Sequence, residues 1–376
     1  MVGSGGQWAG GRPQPQILYI HPSAVLAEVS TPDPFYYLNN FEEALACVVA
    51  RSGDLLSESE RAFARDFANL SKLSRALLVR LVMRQGDLFR RSAIEYPEIG
   101  DLELAIEPLI KLGWIDAAPM LTLSELFRIT TRVELAARFT ELRSRSITKS
   151  DALERFVPHH GEAATLHGWL GSSEVVYRVG IAPMVSCFRW LFFGSDRAWS
   201  EFVLVDLGIF EYESVPFDDV SRPFNSRSDI EFFFSLRRCE DALQQGLEPE
   251  EALKQVPDES TSVSWLQLRR GVLRFQIGQI AERSGEGELA LRAYAQSDTS
   301  DARVRHVRLL ERLQRLEEAE HFLTASLGRA VHEAELQQLR RVESRLRRHR
   351  RLSGPIVRRS KVLFTDWELN FESGVG

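Results

Sequence analysis

Apolar residues recur at three- and four-residue steps over most of this chain. Phe35, Leu38, Phe41, Leu45 and Val48 share one face of a first helix, which the Asp33-Pro34 pair is expected to open. Ser57 and Glu60 have capping-box spacing, and Phe63, Phe67 and Leu70 follow on one face. Leu73, Leu77, Leu78, Leu81 and Val82 predict a third helix that stops before Gly86. A short strand is expected over 88–91, and Asp101 caps a fourth helix that Gly113 ends. Trp114-Ile115 then reads as a returning strand.

The pattern stays helical further on. Residues 121–156 read as three short helices, with Thr131 and Thr148 as caps for the last two. Residues 170–245 read as mostly helical, and their large aromatics, Phe188, Trp190 and Phe233 among them, as core. Between 265 and 327, Ala290 and Tyr294 are echoed 29 residues later by Ala319 and Leu323, a degenerate repeat at tetratricopeptide-like spacing. Residues 330–352 predict one long helix with Leu339, Val342 and Leu346 as its apolar stripe and arginines crowding the rest. The tail over 362–371 alternates like a strand.

Composition narrows the class. The 376 residues suffice for two or three domains, and 44% hydrophobic with 27% charged residues fits a globular chain. No apolar run is long enough to span a membrane, and the Gly-, Pro- and Ser-rich first 32 residues lack a secretory pattern. Three widely spaced cysteines exclude a CxxC zinc site and point to a reducing, cytoplasmic setting. Net charge is −6, yet of 47 basic residues only Lys72, Lys111, Lys149, Lys254 and Lys361 are lysine. The remainder are arginines, whose planar forks suit phosphate, although a GC-rich genome favours arginine as well.

The blocks FYYLNNF (35–41), LSKLSRALLVRLVMRQGDLF (70–89), LIKLGWID (109–116) and LFFGSDRAWSEFVLVDLGIFEYE (191–213) resemble the Fanconi-associated nuclease family in its bacterial form. The resemblance runs from about Phe35 to Val362. It implies a mainly α chain: a helix-turn-helix or winged-helix-like N-terminal unit, a SAP-like module, a tetratricopeptide-like helical solenoid and few short strands. The expected divisions are a disordered lead (1–32), the helix-turn-helix domain (33–118), the SAP-like module (119–157), a helical linker (158–262), the repeats (263–352) and the start of a strand region (353–376). The function so implied is the DNA-binding and architectural portion of a structure-specific DNA repair nuclease, a 5′-flap endonuclease and 5′–3′ exonuclease of phosphodiesterase I type. Branched DNA and interstrand cross-links would be its substrates, DNA its partner, and the bacterial nucleoid its location. The other reading is a helical-repeat adaptor for protein partners.

For the DNA-binding face the sequence nominates Arg80, Arg84, Arg90, Arg91, Arg128, Arg132 and Lys149, with Arg143 and Arg145 nearby. Arg80 and Arg84 lie one helical turn apart, and Arg90 and Arg91 follow the Gly86 turn where a wing would approach a backbone. The family's VRR-NUC nuclease domain uses Mg²⁺ or Mn²⁺ held by a PD…(D/E)-x-K constellation. Two positions before the five lysines stand Leu70, Leu109, Ile147, Ala252 and Arg359, so no (D/E)-x-K occurs here. The expectation is a chain without that domain, with no catalytic residue or cofactor of its own, inactive alone and completed by a C-terminal nuclease domain. His159, His160, Glu162 and His167 cluster, but their spacing matches no familiar metal site, and a loop leading into a helix fits better.

Overall fold

The computed structural model describes residues 33–350 apart from 145, 196 and 201–221. The described residues fall into two compact units, one running up to Phe234 and taking in Glu259–Leu266, the other made of Ser235–Asp258 and the described residues from Gln267 on.

The first unit opens with four helices: α1 (Tyr36–Ser52), α2 (Glu58–Asn69), α3 (Lys72–Val82) and α4 (Leu102–Lys111). The apolar faces meet as the periodicity requires, with Phe41 5.4 Å from Phe67 and Phe63 4.9 Å from Trp114, ring centre to ring centre. The Ser57/Glu60 capping box forms on α2, and Asp101 accepts from the Glu103 and Leu104 N–H groups on α4. The start of α1 differs from expectation. Asp33 accepts from the Phe35 N–H and from Asn39, so it caps a turn, and the helix begins only at Tyr36.

Three short strands, β1 (Leu88–Arg90), β2 (Ile115–Asp116) and β3 (Val176–Val179), form an antiparallel sheet in the order β1-β3-β2. Gly86 holds φ +86° in the turn before β1, a conformation that side chains resist. The central strand corrects the helical reading of 170–245. Val176, Tyr177 and Val179 are all buried, so both faces are covered and the in-out alternation of a half-exposed strand is missing. The strand expected over 362–371 lies outside the described residues. After β3, helix α9 (Ala182–Phe193) joins the core of the first four helices and brings Phe188 to 5.6 Å from Phe63.

Between β2 and β3 the chain makes a separate small module of α5 (Leu123–Ile129), α6 (Arg132–Arg138), α7 (Lys149–Phe156) and α8 (Leu166–Leu170). Capping boxes at Thr122/Glu125, Thr131/Glu134 and Thr148/Asp151 start three of these helices. Its ends are tied together: Leu121 and Ala164 exchange backbone hydrogen bonds of 2.8 and 3.1 Å, and the Trp169 indole donates to the Leu121 carbonyl. Leu126, Phe127, Leu135, Phe139 and Trp169 share one core with Leu88 of β1 and Val176 of β3. An insertion anchored through both ends and a common core has little freedom to turn on the sheet.

The second unit is a helical solenoid. It takes the end of α10 (Arg227–Gln244), α11 (Pro249–Gln255), most of α12 (Ser264–Arg283), then α13 (Gly287–Ala295), α14 (Ser300–Arg312), α15 (Leu316–Leu327) and α16 (Glu333–Arg350). Ala290 and Ala319 each sit three residues into their helix and are fully buried, which is the 29-residue echo made physical. Gly278 admits the Tyr294 ring: a Cβ there would lie 2.5 Å from its nearest ring carbon. Carboxylates staple neighbouring helices through arginine. Glu282 holds Arg305, Arg312 and the Tyr294 hydroxyl, Glu311 holds Arg345, and Glu335 holds Arg303.

Candidate nucleic-acid interface

The seven nominated cations gather in two places, each held by an intramolecular partner. Around the 91–103 loop, the Arg80 guanidinium lies 3.8 Å from the Tyr37 ring centre and donates twice to Glu98, at 2.9 and 2.5 Å. Arg84 donates to the Ala93 carbonyl at 3.0 Å and covers the Phe89 ring. Arg91 pairs with Glu103 at 2.9 Å. This loop also lines a surface hollow of about 430 Å³ that includes Arg91, Tyr96 and Asp101.

The second group surrounds the start of α6. Arg90 forks onto Glu134 at 3.0 and 2.5 Å, joining β1 to the inserted module. Glu134 also accepts from the Thr131 backbone and hydroxyl, and the Arg90 hydrogen bonds hold its carboxyl down at about 2. Lys149 donates to the Thr130 carbonyl at 2.7 Å, and burial lowers its ammonium pKa. Arg132 donates to the carbonyls of Ile147 and Ser144, closing the loop before α7. Arg128 pairs with Asp87 at 2.8 Å.

These contacts sort the cations by availability. Arg128 keeps 53% and Arg91 46% of its side chain in solvent, whereas Arg80 keeps 29% in its ring-and-carboxylate clamp. Exposed ion pairs contribute about 0–1 kcal/mol, so a phosphate can displace Asp87 or Glu103 cheaply. Arg90, Arg132 and Lys149 instead position backbone and module. Arg143 is exposed, and Arg145 lies outside the described residues.

Sequence reasoning missed the residue that locks this arrangement. Arg178, on the central strand, reaches Asp87 at 3.4 Å, Glu125 at 2.8 Å and the Met120 carbonyl at 3.1 Å. It ties sheet, turn and α5 together, and its only sequence signal is a charge inside the apolar run VVYRV. The histidine cluster is a packing feature. The His160 ring stands edge-on to Phe139, Phe156 and Trp169, and His167 meets the Ser172 carbonyl at 3.2 Å. Among the described residues no group of three His, Cys, Asp or Glu side chains could hold a metal ion.

Comparison with known proteins agrees with this layout. Residues 35–116 match the FAN1 HTH domain, and residues 120–169 match the Fanconi anemia-associated nuclease SAP domain. The second match covers the segment that the Leu121–Ala164 pairing closes off. A Fanconi-associated nuclease 1 homolog from Pseudomonas aeruginosa is 42% identical over 318 residues, covering 84% of this chain and 57% of that protein. One from Arabidopsis thaliana is 26% identical over 52% of this chain and 23% of its own length. The crystal structure of paFAN1 bound to 2nt 5′flap DNA with gap superposes with a TM-score of 0.80 at 40% identity, covering 86% of this chain and 60% of that one. The chain thus spans somewhat over half the length of these bacterial relatives.

Proposed function

The chain belongs to the Fanconi-associated nuclease family, and from that premise we propose that its first unit holds the duplex arm of a branched DNA for a structure-specific repair nuclease. The observation that carries this reading is the placement of the SAP module as an insertion between β2 and β3 of the winged sheet. Sheet and module share one core, and Arg91 and Arg128 stay largely exposed in their pairs with Glu103 and Asp87, while Arg80, Arg84, Arg90, Arg132 and Lys149 hold loops and helix starts. The similarity to a protein crystallised with flap DNA supports 5′-flap substrates, and interstrand cross-link repair follows from the family reading. Divalent-metal hydrolysis, with Mg²⁺ or Mn²⁺, is assigned to the family's nuclease domain.

The contacts are to phosphate, with little base preference, because a junction nuclease must act on any sequence. Sequence-independent binding of this kind has Kd on the order of 10⁻⁴ to 10⁻⁶ M. In the full chain, Arg91→Ala with Arg128→Ala should weaken binding alike on unrelated flap sequences and flatten the log K against log salt slope by up to about two units. Unchanged affinity and slope would overturn this reading. A wild-type chain with no DNA affinity at low salt would favour the protein-adaptor reading instead.

A further inference from the structure

Helix α16 carries a second charged surface that the first unit does not account for. Its buried side is set by Glu335, Leu339, Val342 and Leu346, all at most 1% exposed, which dock on the solenoid. Arg345, beside them, is held by Glu311. Arg340, Arg341, Arg347 and Arg348 are exposed. Residues seven apart return to within about 20° on a helix. Arg340 and Arg347 therefore form one row and Arg341 and Arg348 another about 100° round the helix, and the two rows flank the side opposite the buried stripe. The members of each row are about 10 Å apart along the axis, at 1.5 Å per residue.

Little on this side neutralises them. Among the described residues Arg340 and Arg341 have no ion-pair partner, and Arg347 has only the exposed one-turn pair with Glu343. Arg348 donates to the Ser344 carbonyl one turn back. The other residues on the face are Gln337, Ser344 and, at the start of the helix seven residues before Arg340, Glu333, to which Gln337 donates at 3.4 Å. A protein partner needs a buried apolar anchor at the centre of its interface, and this face offers none. A phosphate backbone needs only fixed positive charge and donors, and forked guanidinium groups supply both.

We infer that the outer face of α16 is a DNA-backbone surface, which engages duplex phosphates in addition to those met by Arg91 and Arg128 of the first unit. This rests on the reading that the chain binds DNA. The test uses the full chain and a labelled 5′-flap duplex, titrated between 50 and 200 mM salt. A variant with Arg340→Gln, Arg341→Gln, Arg347→Gln and Arg348→Gln should flatten the salt slope by about two to three units and weaken binding at least ~10-fold at 50 mM, since each phosphate contact contributes ~0.9 to the slope. The matching four-lysine variant keeps the charge and should keep most of the slope, which separates an electrostatic role from a loss of fold. If the wild-type chain binds and the glutamine variant matches it, the inference is overturned while the function reading stands, and an acidic protein partner becomes the better occupant. If the wild-type chain does not bind, both fail. If the lysine variant loses as much as the glutamine variant, charge is not the cause and the inference is also overturned.

Discussion

Gly278→Ala sets two effects of opposite sign against each other. Replacing an interior helical glycine by alanine ordinarily stabilises by about 1 kcal/mol through propensity. Here the added Cβ would sit 2.5 and 2.7 Å from two Tyr294 ring carbons and 3.2 Å from a third. The ring has no easy retreat. Tyr294 is fully buried, and its hydroxyl donates to Glu282 at 2.6 Å. Glu282 is itself fixed by Arg305 and Arg312 at 2.9 and 2.6 Å. Overpacking a well-filled core costs about 1–3 kcal/mol, and contact with a pinned ring places this site at the upper end. Subtracting the propensity gain leaves a net destabilisation of about 2 kcal/mol. Urea unfolding followed by far-ultraviolet circular dichroism reads this as a lower midpoint at constant slope. In the Tyr294→Leu background the alanine has room, so the two changes should couple by at least about 1 kcal/mol. A more stable Gly278→Ala protein, or additive effects in the cycle, would refute the argument that the glycine exists to admit the ring.

Two further outcomes follow from buried charge in the same unit. Burial, with Arg315 adding to it and Glu318 opposing, lowers His306 to about 4, and its ring stacks on Phe322. The unfolded state therefore binds a proton that the folded state refuses, and stability should fall as pH drops from about 6.5 to about 4, by up to about 3 kcal/mol. Comparing urea midpoints of wild type and His306→Gln across that window isolates the contribution, and parallel pH profiles would contradict it. Glu335 has no side-chain exposure and Arg303 only 11%, so Glu335→Gln should cost about 3–5 kcal/mol by leaving a buried guanidinium uncompensated. The apolar double replacement Glu335→Leu with Arg303→Met should be less damaging than that single change.

What could be read from the sequence was what is local. Helix faces, the Thr131 and Thr148 caps, the Gly86 turn and the Ala290/Ala319 echo each involve residues within one element or one repeat, where spacing is the physical cause. Strand β3 was missed because its pairing partners, Leu88–Arg90 and Ile115–Asp116, lie far upstream, and because burial on both faces removes the alternation that marks a strand. The SAP insertion followed the same rule. Its helices were legible, but its attachment to the sheet depends on Arg178, whose role is set by Asp87 and Glu125.

The same distinction governs the charges. Residue type alone cannot separate a cation waiting for a phosphate from one already matched. Arg90 finds Glu134 across 44 positions, Arg128 finds Asp87 across 41, and Arg80 finds Glu98 across 18. An arginine-rich chain can therefore be acidic overall without contradiction, because many of its arginines serve as interior fasteners and their carboxylates are counted with them. What can bind an anion is the remainder that geometry leaves at the surface. In the first unit that remainder is small and rests on a braced platform of sheet and inserted module. On α16 it is a pair of rows, visible in the sequence because their arginines recur at helical spacing. Fixed, sparse charges suit the recognition of a backbone whose phosphates are regular but whose bases are unspecified. Where a partner orients the side chain in advance, as Asp87 does for Arg128 and Glu103 for Arg91, part of the ordering cost that a flexible side chain brings to each contact is removed.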